Sequence, residues 1–223
     1  MSTATQTTTP SRRWPEPRAA IELIKPVTWF PPMWAYLCGI VSSGIAPGQN
    51  WVLVVLGVLL AGPVVCGMSQ AANDWCDRHV DRINEPSRPI PSGRMPENWA
   101  LGIAVGMTLL GLAIGTLLGP WGFGATVLAV AAAWAYAAEP IRAKRSGLWG
   151  PGLCGLAYET LPWITGAAVL SLGAPDLEVI IIAVLYGLGA HGIMTLNDFK
   201  AVEGDPALGL RSLPVMLGTK RAA

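Results

Sequence analysis

Residues 51–81 read WVLVVLGVLLAGPVVCGMSQAANDWCDRHVD, and this stretch decides the fold class. Residues 51–72 contain no charged side chain, whereas residues 73–81 contain all the charges of the stretch. A helix needs roughly 20 apolar residues to cross the hydrocarbon core of a bilayer, which is about 30 Å thick. The stretch therefore predicts a membrane-spanning helix whose last turns place acidic side chains at the membrane surface.

Five other runs have the same apolar character. Together with residues 51–72 they give six predicted spans, which are residues 27–46, 51–72, 100–118, 121–138, 149–170 and 179–196. Only 13% of the chain is charged, about half of what a soluble domain contains. Because helices and closed barrels alone satisfy their backbone groups in lipid, we predict an all-α polytopic transmembrane bundle. Three parts are expected: a cytoplasmic segment 1–26, a membrane domain 27–218 and a tail 219–223.

The basic residues predict the orientation of the bundle. All 15 Lys and Arg lie in segments 1–26, 73–99, 139–148 and 197–223, and the connections on the opposite side contain none. The positive-inside rule then places both termini and the two long loops in the cytoplasm. A net charge of +1 supplies no general attraction for nucleic acid, so we expect a lipid bilayer and no nucleic acid as partner.

The end of the second run predicts a metal site. Asn73, Asp77 and Asp81 are spaced i, i+4 and i+8, so they share one face if the helix continues through them. Oxygen ligands of this kind suit Mg²⁺, which uses one or two carboxylates and completes its coordination with water and substrate phosphates. The alternative is a solvated helix face paired with neighbouring arginines.

A second acidic segment follows the sixth run and contains Asn197, Asp198 and Asp205. Both segments emerge on the same side of the predicted bundle. Their carboxylates could therefore face each other and hold two Mg²⁺ ions with a diphosphate between them.

Basic side chains that could bind such a diphosphate lie between the two acidic segments. Arg88 belongs to a proline-rich loop, and Arg142 and Lys144 follow the fourth run. Guanidinium and ammonium groups stabilise the negative charge of a departing diphosphate. Together with an apolar bundle, they suggest an isoprenyl diphosphate substrate whose allylic cation is captured by an acceptor. Transport and lipid scaffolding are the alternatives.

Glu159 is the only charged residue well inside a predicted span. A carboxyl group inside the membrane is a candidate functional group, because its burial is costly without a purpose. A protonated carboxyl that is hydrogen-bonded between helices is the other interpretation.

The motifs also resemble those of a known family. Asn73-xxx-Asp77-xxx-Asp81, the following run NEPSRPIPSG at 84–93, and Asn197-Asp198 with Glu203-Gly204-Asp205 are similar to the UbiA-type intramembrane prenyltransferases. Within that family the chain resembles the chlorophyll synthase branch, and residues 67–81 resemble its bacterial members. The similarity covers about residues 20–218.

The resemblance implies a reaction and its participants. A geranylgeranyl or phytyl group would pass from its diphosphate to the propionate carboxylate of bacteriochlorophyllide a, with Mg²⁺ as cofactor, in a bacterial inner membrane. It implies metal-binding and catalytic roles for Asp77, Asp81, Asp198 and Asp205, with Asn73 as a further metal ligand. It assigns the diphosphate to Arg88, Arg142 and Lys144, and makes Tyr136, Glu159 and His191 candidates for the substrate pocket.

His191 has two interpretations. It could ligate the magnesium of the macrocycle, but a hydrogen-bonded core histidine is the favoured interpretation. The length of the isoprenoid is left open.

Three departures from the family pattern bear on these expectations. Ala201 stands where many relatives have a further Asp, although the chlorophyll synthase branch has a small residue there. Around Tyr136 the family often has the pattern Tyr-Ser-x-Pro-Pro, and Glu139 stands where that pattern has its first proline, which places a carboxylate beside the expected diphosphate site and bears on the roles of Tyr136 and Arg142. The family bundle has nine helices, so six spans predict a chain truncated at its C-terminus.

Two other functions are the alternatives to the esterification of bacteriochlorophyllide a. One is a UbiA-type prenyltransferase with a quinone or haem precursor as acceptor, and the other is a non-catalytic pigment-binding scaffold.

Overall fold

The computed structural model describes residues 14–199, 202 and 211–222, and these residues form helices and turns with no strand. The α-helices are α1 Pro17–Ile24, α2 Phe30–Ser42, α3 Trp51–Leu59, α4 Gly67–Asn84, α5 Glu97–Leu117, α6 Gly119–Ala137, α7 Trp149–Gly155, α8 Leu161–Val169, α9 Leu177–Asp198, α10 Leu213–Leu217 and α11 Thr219–Ala222. The predicted all-α class is confirmed. The predicted division into three parts stays a prediction.

Two π-helical segments join α-helices into longer rods. Leu60–Cys66 connects α3 to α4, and Leu156–Thr160 connects α7 to α8. Pro63 lies inside the first segment and lacks the N–H that a regular α-helix would use, which favours the wider turn there. The helix of residues 51–72 does continue through the acidic residues, because α4 extends to Asn84.

Three helical stretches of the described chain are long and apolar enough to cross a membrane: Pro47–Asn84, Glu97–Leu117 and Leu177–Leu196. The other three predicted runs also fold as helices, but they fall short of that length or composition; α2, for example, has 13 residues. The helical membrane-type bundle agrees with the prediction, and the number of six spans stays a prediction.

Close approach of α2 and α8 fixes the centre of the bundle. A Cβ atom on Gly39 would lie 2.1 Å from the carbonyl oxygen of Trp163, and one on Gly166 would lie 2.1 Å from that of Tyr36. Tyr36 is fully buried, and its hydroxyl donates a hydrogen bond of 3.0 Å to the carbonyl of Leu53. Small residues let helix backbones approach closely in membranes, where packing replaces the hydrophobic effect as the attractive force.

We expect Gly39→Ala to lower the stability of the protein by about 2–3 kcal/mol, because the new methyl group overlaps a backbone carbonyl. Gly106→Ala is the matched control, since a Cβ there meets nothing within 4 Å. That control should be neutral or stabilising by about 0.5–1 kcal/mol, as for Gly→Ala in a helix interior. Thermal unfolding in detergent measures both, and equal midpoints for the two variants would contradict the prediction.

Candidate active site

The predicted metal ligands of α4 meet the basic segment that follows α6. Lys144 Nζ lies 2.5 Å from Asp77 Oδ1 and 2.9 Å from Asn73 Oδ1, and donates a hydrogen bond to each. Arg142 donates a second hydrogen bond, of 2.9 Å, to Asp77 Oδ1. The structure therefore brings together two sets of residues that lie about 70 positions apart in the sequence.

A second group of charges lies next to the first on the same helix. Arg88 donates a hydrogen bond of 2.8 Å to Asp81 Oδ2, and its Nη1 lies 3.6 Å from Asp74 Oδ1. Asp74 is only 2% exposed, and Lys25 donates a hydrogen bond of 2.7 Å to it. The other oxygen of Asp74, Oδ2, is buried and has no hydrogen-bond partner in the described part of the chain.

Asp74 and Lys25 are site residues that the sequence reasoning missed. Asp74 was visible only as the neighbour of Asn73, and Lys25 only as one of the basic residues before the first apolar run. Their pairing spans 49 positions and depends on how α1 packs against α4, which no local pattern reveals.

Burial and charge alter the acidity of the two loop cations in opposite directions. Burial lowers the pKa of the Lys144 ammonium, although the hydrogen bond and charge of Asp77 oppose that change. Burial also disfavours the charged form of Arg88, but the carboxylates of Asp74 and Asp81 outweigh it and raise the pKa of the guanidinium. Arg88 thus stays a permanent cation at the site.

The loop between α4 and α5, which contains Arg88, is fixed to α1 through Arg94. Arg94 donates two hydrogen bonds to the carboxylate of Glu22 in α1, at 2.6 and 2.9 Å, and a third of 2.7 Å to the carbonyl of Ser87. The hydrogen bond from Arg94 lowers the pKa of Glu22. The backbone N–H of Glu16 donates to the carbonyl of Arg94, so α1 and this loop are joined by both backbone and side chains.

Glu139 pairs with one cation of the site and with an exposed arginine next to it. It accepts a hydrogen bond of 3.2 Å from Arg142, and it forms an ion pair of 2.9 Å with Arg145 at the surface. Arg142 therefore bridges Glu139 and Asp77, and its Nε is buried without a hydrogen-bond partner among the described residues.

The donor atoms fit a hard divalent cation only in part. Asn73, Asp77 and Asp81 offer oxygen ligands from one helix face, which is the chemistry that Mg²⁺ prefers. The described residues nevertheless contain no group of three His, Cys, Asp or Glu close enough to hold a metal. Asp198 lies at the end of α9. Asp205 and the side chain of Asn197 lie outside the described residues, so the opposing acidic set stays a prediction.

An apolar cavity of about 480 Å³ begins at Asn73 and extends into the bundle. Both π-helical segments contribute to its wall, through Ala61, Val65 and Cys66 on one side and Ala157 to Glu159 on the other. π-Helical turns often occur at functional sites. The hydroxyl of Tyr158 accepts a hydrogen bond of 2.9 Å from Gln70 and lies 3.1 Å from the hydroxyl of Ser69.

Of the three candidates for the substrate pocket, Tyr136 and Glu159 line this cavity, whereas His191 is not part of its lining. The ring of His191 lies 3.2 Å from the carbonyl oxygen of Leu148 and packs near Gly152. This contact suits the hydrogen-bonded histidine that the sequence favours. The substrate roles of all three residues stay predictions.

The fold and the site define a class of protein: a helical membrane bundle in which acidic and basic side chains meet at one end of an apolar cavity. Comparison with known proteins supplies the family, since residues 28–223 match the UbiA prenyltransferase family. The chain belongs to that family, and the predicted membership and the prediction of a prenyltransferase enzyme are confirmed.

Two bacterial relatives are similar over nearly the whole chain. The Bacteriochlorophyll synthase 33 kDa chain of Cereibacter sphaeroides is 70% identical over 212 residues, which cover 95% of this chain and 70% of that protein. The protein of the same name from Rhodobacter capsulatus is 68% identical over 222 residues, covering 98% of this chain and 73% of that protein. The predicted resemblance to bacterial members of the chlorophyll synthase branch is confirmed.

A solved structure supports the fold. The UbiA homologue from Archaeoglobus fulgidus, bound to GPP and Mg²⁺, gives a TM-score of 0.75 at 24% identity. The match covers 92% of this chain and 71% of that one. At this identity the comparison shows the fold alone, and the predicted UbiA-type bundle is confirmed.

Removal of Lys25 tests the buried charge pair. We expect Lys25→Met to destabilise the protein by about 2 kcal/mol, because it leaves the buried Asp74 with only the more distant Arg88, and breaking a buried pair costs up to about 3–5 kcal/mol. Arg82→Met is the control: Arg82 pairs with Glu97 but is 55% exposed, and surface pairs contribute less than about 1 kcal/mol. Thermal midpoints that rank the variants in the reverse order would refute the role of Lys25.

Proposed function

We propose that this enzyme transfers a geranylgeranyl or phytyl group from its diphosphate to the propionate carboxylate of bacteriochlorophyllide a. One observation is central to the proposal: three cations, Arg88, Arg142 and Lys144, pair with the oxygens of α4 at the end of an apolar cavity. The identity to the two bacteriochlorophyll synthase chains supports the choice of acceptor.

The residues of α4 suit a magnesium diphosphate. Asn73, Asp77 and Asp81 would hold Mg²⁺, with Asp198 and Asp205 as the opposing ligands, and the bound ion would neutralise charge on the departing diphosphate. The A. fulgidus homologue, whose structure contains Mg²⁺ and GPP, is consistent with this proposal.

The three cations have a second task when diphosphate binds. In the structure they neutralise the carboxylates of α4 directly. We infer that they turn toward the phosphate oxygens when the metal neutralises those carboxylates instead. Each cation then stabilises the charge that develops as the bond between C1 and oxygen breaks.

The cavity supplies the apolar surroundings for the reaction. Alanine is the commonest residue of its wall, and Val65, Leu153 and Ile193 add larger apolar side chains, so that water is excluded from the allylic cation. A propionate oxygen of the acceptor forms the new bond to C1, and the diphosphate leaves with the electron pair of the broken bond. Because a propionate is ionised at neutral pH, the protein needs to supply no nucleophile of its own.

The distribution of charge supports a proposal for the location of the site. The chain is an integral membrane protein, and we propose that its two termini and its active-site loops lie on the cytoplasmic side of a bacterial inner membrane. The concentration of Lys and Arg in those segments supports this orientation.

The direct test uses membranes that contain the protein, bacteriochlorophyllide a, geranylgeranyl diphosphate and Mg²⁺, with chromatography of the esterified pigment. A peak that requires Mg²⁺ is expected. Parallel reactions with a quinone precursor and a haem precursor identify the acceptor. A prenylated product with one of those precursors, and none with the pigment, would overturn the proposed acceptor.

Asp77→Asn tests the metal site. We expect kcat/KM to fall at least about 100-fold, because the amide removes the charge that would bind Mg²⁺ between two other oxygen ligands. Asp176→Asn makes the same chemical change at an exposed position before α9 and should leave the rate unchanged. Prenyl transfer at several Mg²⁺ concentrations measures the effect, and an unaltered rate for Asp77→Asn at limiting Mg²⁺ would exclude this ligand.

Lys144→Met tests diphosphate binding. The KM for the prenyl diphosphate should rise about 10- to 100-fold, since a hydrogen bond to a charged group contributes about 1.5–3 kcal/mol. Arg145→Met removes a neighbouring cation that is 52% exposed and pairs with Glu139, and its KM should change less than about threefold, as expected for a surface pair. Steady-state kinetics with varied diphosphate distinguish the two variants. Equal effects would mean that general positive charge, and not Lys144 itself, binds the substrate.

A further inference from the structure

Glu159 is the one residue with a carboxyl side chain on the wall of the cavity in the described part of the chain, and one of its two carboxyl oxygens has no hydrogen-bond partner there. The residue is only 8% exposed, and Oε2 is buried without a hydrogen-bond partner among the described residues. The two polar neighbours of Glu159 in the sequence have partners of their own: Tyr158 contacts Gln70 and Ser69, and Thr160 donates to the carbonyl of Ala183. Cys38 of α2 and Tyr186 of α9 lie close enough to interact with the charge of Glu159, but neither forms a hydrogen bond with Oε2.

The surroundings of Glu159 limit what could contact it. No Lys or Arg lines the described cavity, so a carboxylate at this position would have no cation beside it. An unpaired buried charge costs far more than a neutral carboxyl, which needs only one acceptor for its O–H group. A ligand with a hydrogen-bond acceptor next to Glu159 would therefore satisfy the neutral carboxyl group.

The two substrates of the proposed reaction differ in this respect. A prenyl chain is a pure hydrocarbon beyond its diphosphate and would leave the carboxyl of Glu159 unpaired. The rim of the tetrapyrrole macrocycle, in contrast, has a ring ketone and an acetyl group whose oxygens accept hydrogen bonds. A cavity of about 480 Å³ that is apolar except for a few polar groups is typical of sites that orient a large ligand.

We propose that Glu159 donates a hydrogen bond to the oxygen of the ring ketone or of the acetyl group on the rim of the macrocycle and so orients the acceptor in the cavity. The inference rests on the proposed function and assigns a specificity-determining residue to it. The backbone position of Glu159 supports this assignment. Glu159 lies in the π-helical segment Leu156–Thr160, and both π-helical segments contribute to the wall of the cavity. The propionate would then be directed toward the end of the cavity at Asn73, where the diphosphate binds.

The test compares acceptors as well as variants. Glu159→Leu removes the donor, Glu159→Gln keeps a donor of similar size, and Glu178→Leu makes the same change at an exposed position in α9. The acceptors are bacteriochlorophyllide a, an analogue with methylene in place of the ring ketone, and an analogue with vinyl in place of the acetyl group. The KM and kcat for each acceptor, and the KM for geranylgeranyl diphosphate, are measured with the full chain.

We expect Glu159→Leu to raise the KM for bacteriochlorophyllide a about 10-fold, the size of one lost buried hydrogen bond, without changing the KM for the diphosphate. Glu159→Gln should recover most of the affinity, and Glu178→Leu should match the unaltered protein. With one of the two analogues the unaltered protein and Glu159→Leu should give the same KM. Thermal unfolding checks that each variant is folded.

Several results would overturn the inference. An unchanged KM for the pigment in Glu159→Leu means that the carboxyl does not contact it, and a penalty that persists with both analogues means that neither the ring ketone nor the acetyl group is the partner.

The same experiment separates this inference from the proposed function. Ester formation by the unaltered protein, with no effect of Glu159→Leu, rejects the inference alone. If the unaltered protein forms no ester, the proposed function fails. Equilibrium binding of the pigment, followed by its absorption, then tests Glu159: weaker binding by Glu159→Leu supports its contact with the rim, and equal or absent binding rejects it.

Discussion

The carboxylates of α4 lie where a membrane bundle meets its aqueous loops, and each of them must be neutralised to stay there. Asp77 is neutralised by Lys144 and Arg142, Asp81 by Arg88, and Asp74 by Lys25. These cations come from three separate parts of the chain. The pairing therefore fixes the loops that follow α4 and α6, as well as the segment before α2, around one helix. A buried carboxylate without its cation is strongly destabilising, so the arrangement of the whole end of the bundle depends on these contacts.

The cations that pair with the carboxylates of α4 could also pair with the oxygens of a phosphate group. The same side chains that stabilise the fold of the loops are those that a metal diphosphate would need, because a phosphate group presents the cations with the same kind of oxygen as a carboxylate. Under the proposed function, the fold thus pairs the cations that would bind the diphosphate with internal anions. In the proposed reaction, exchange of one anion for the other would require rotation of the Arg88 and Lys144 side chains. The backbone of the loop that contains Arg88 would stay where α1 and Arg94 hold it.

Periodicity and motif spacing predict much of this architecture from the sequence. The apolar runs predict the helices, and the spacing of Asn73, Asp77 and Asp81 predicts their common face on α4, because both depend on residues that are close in the chain. The pairing of Lys25 with Asp74 was beyond prediction, since it depends on contacts between distant parts of the chain. Glu159 could be named as a pocket candidate because it is a charged residue inside an apolar run, but the residues around it in the cavity could not be predicted. The two π-helical segments also went unpredicted, because a local widening of the helix leaves the apolar pattern intact.

The π-helical segment between α3 and α4 has a consequence for the direction of the acidic face. A π turn accommodates about one extra residue, which rotates everything beyond it by about 100° relative to an uninterrupted α-helix. Residues Leu60–Cys66 therefore uncouple the two halves of a single rod. The half before this segment, α3, places Gly57 against Tyr36 of α2. The half after it, α4, directs Asn73 and Asp77 toward Lys144. Loss of one residue from this segment would therefore turn the acidic face of α4 by about 100°, away from its cations.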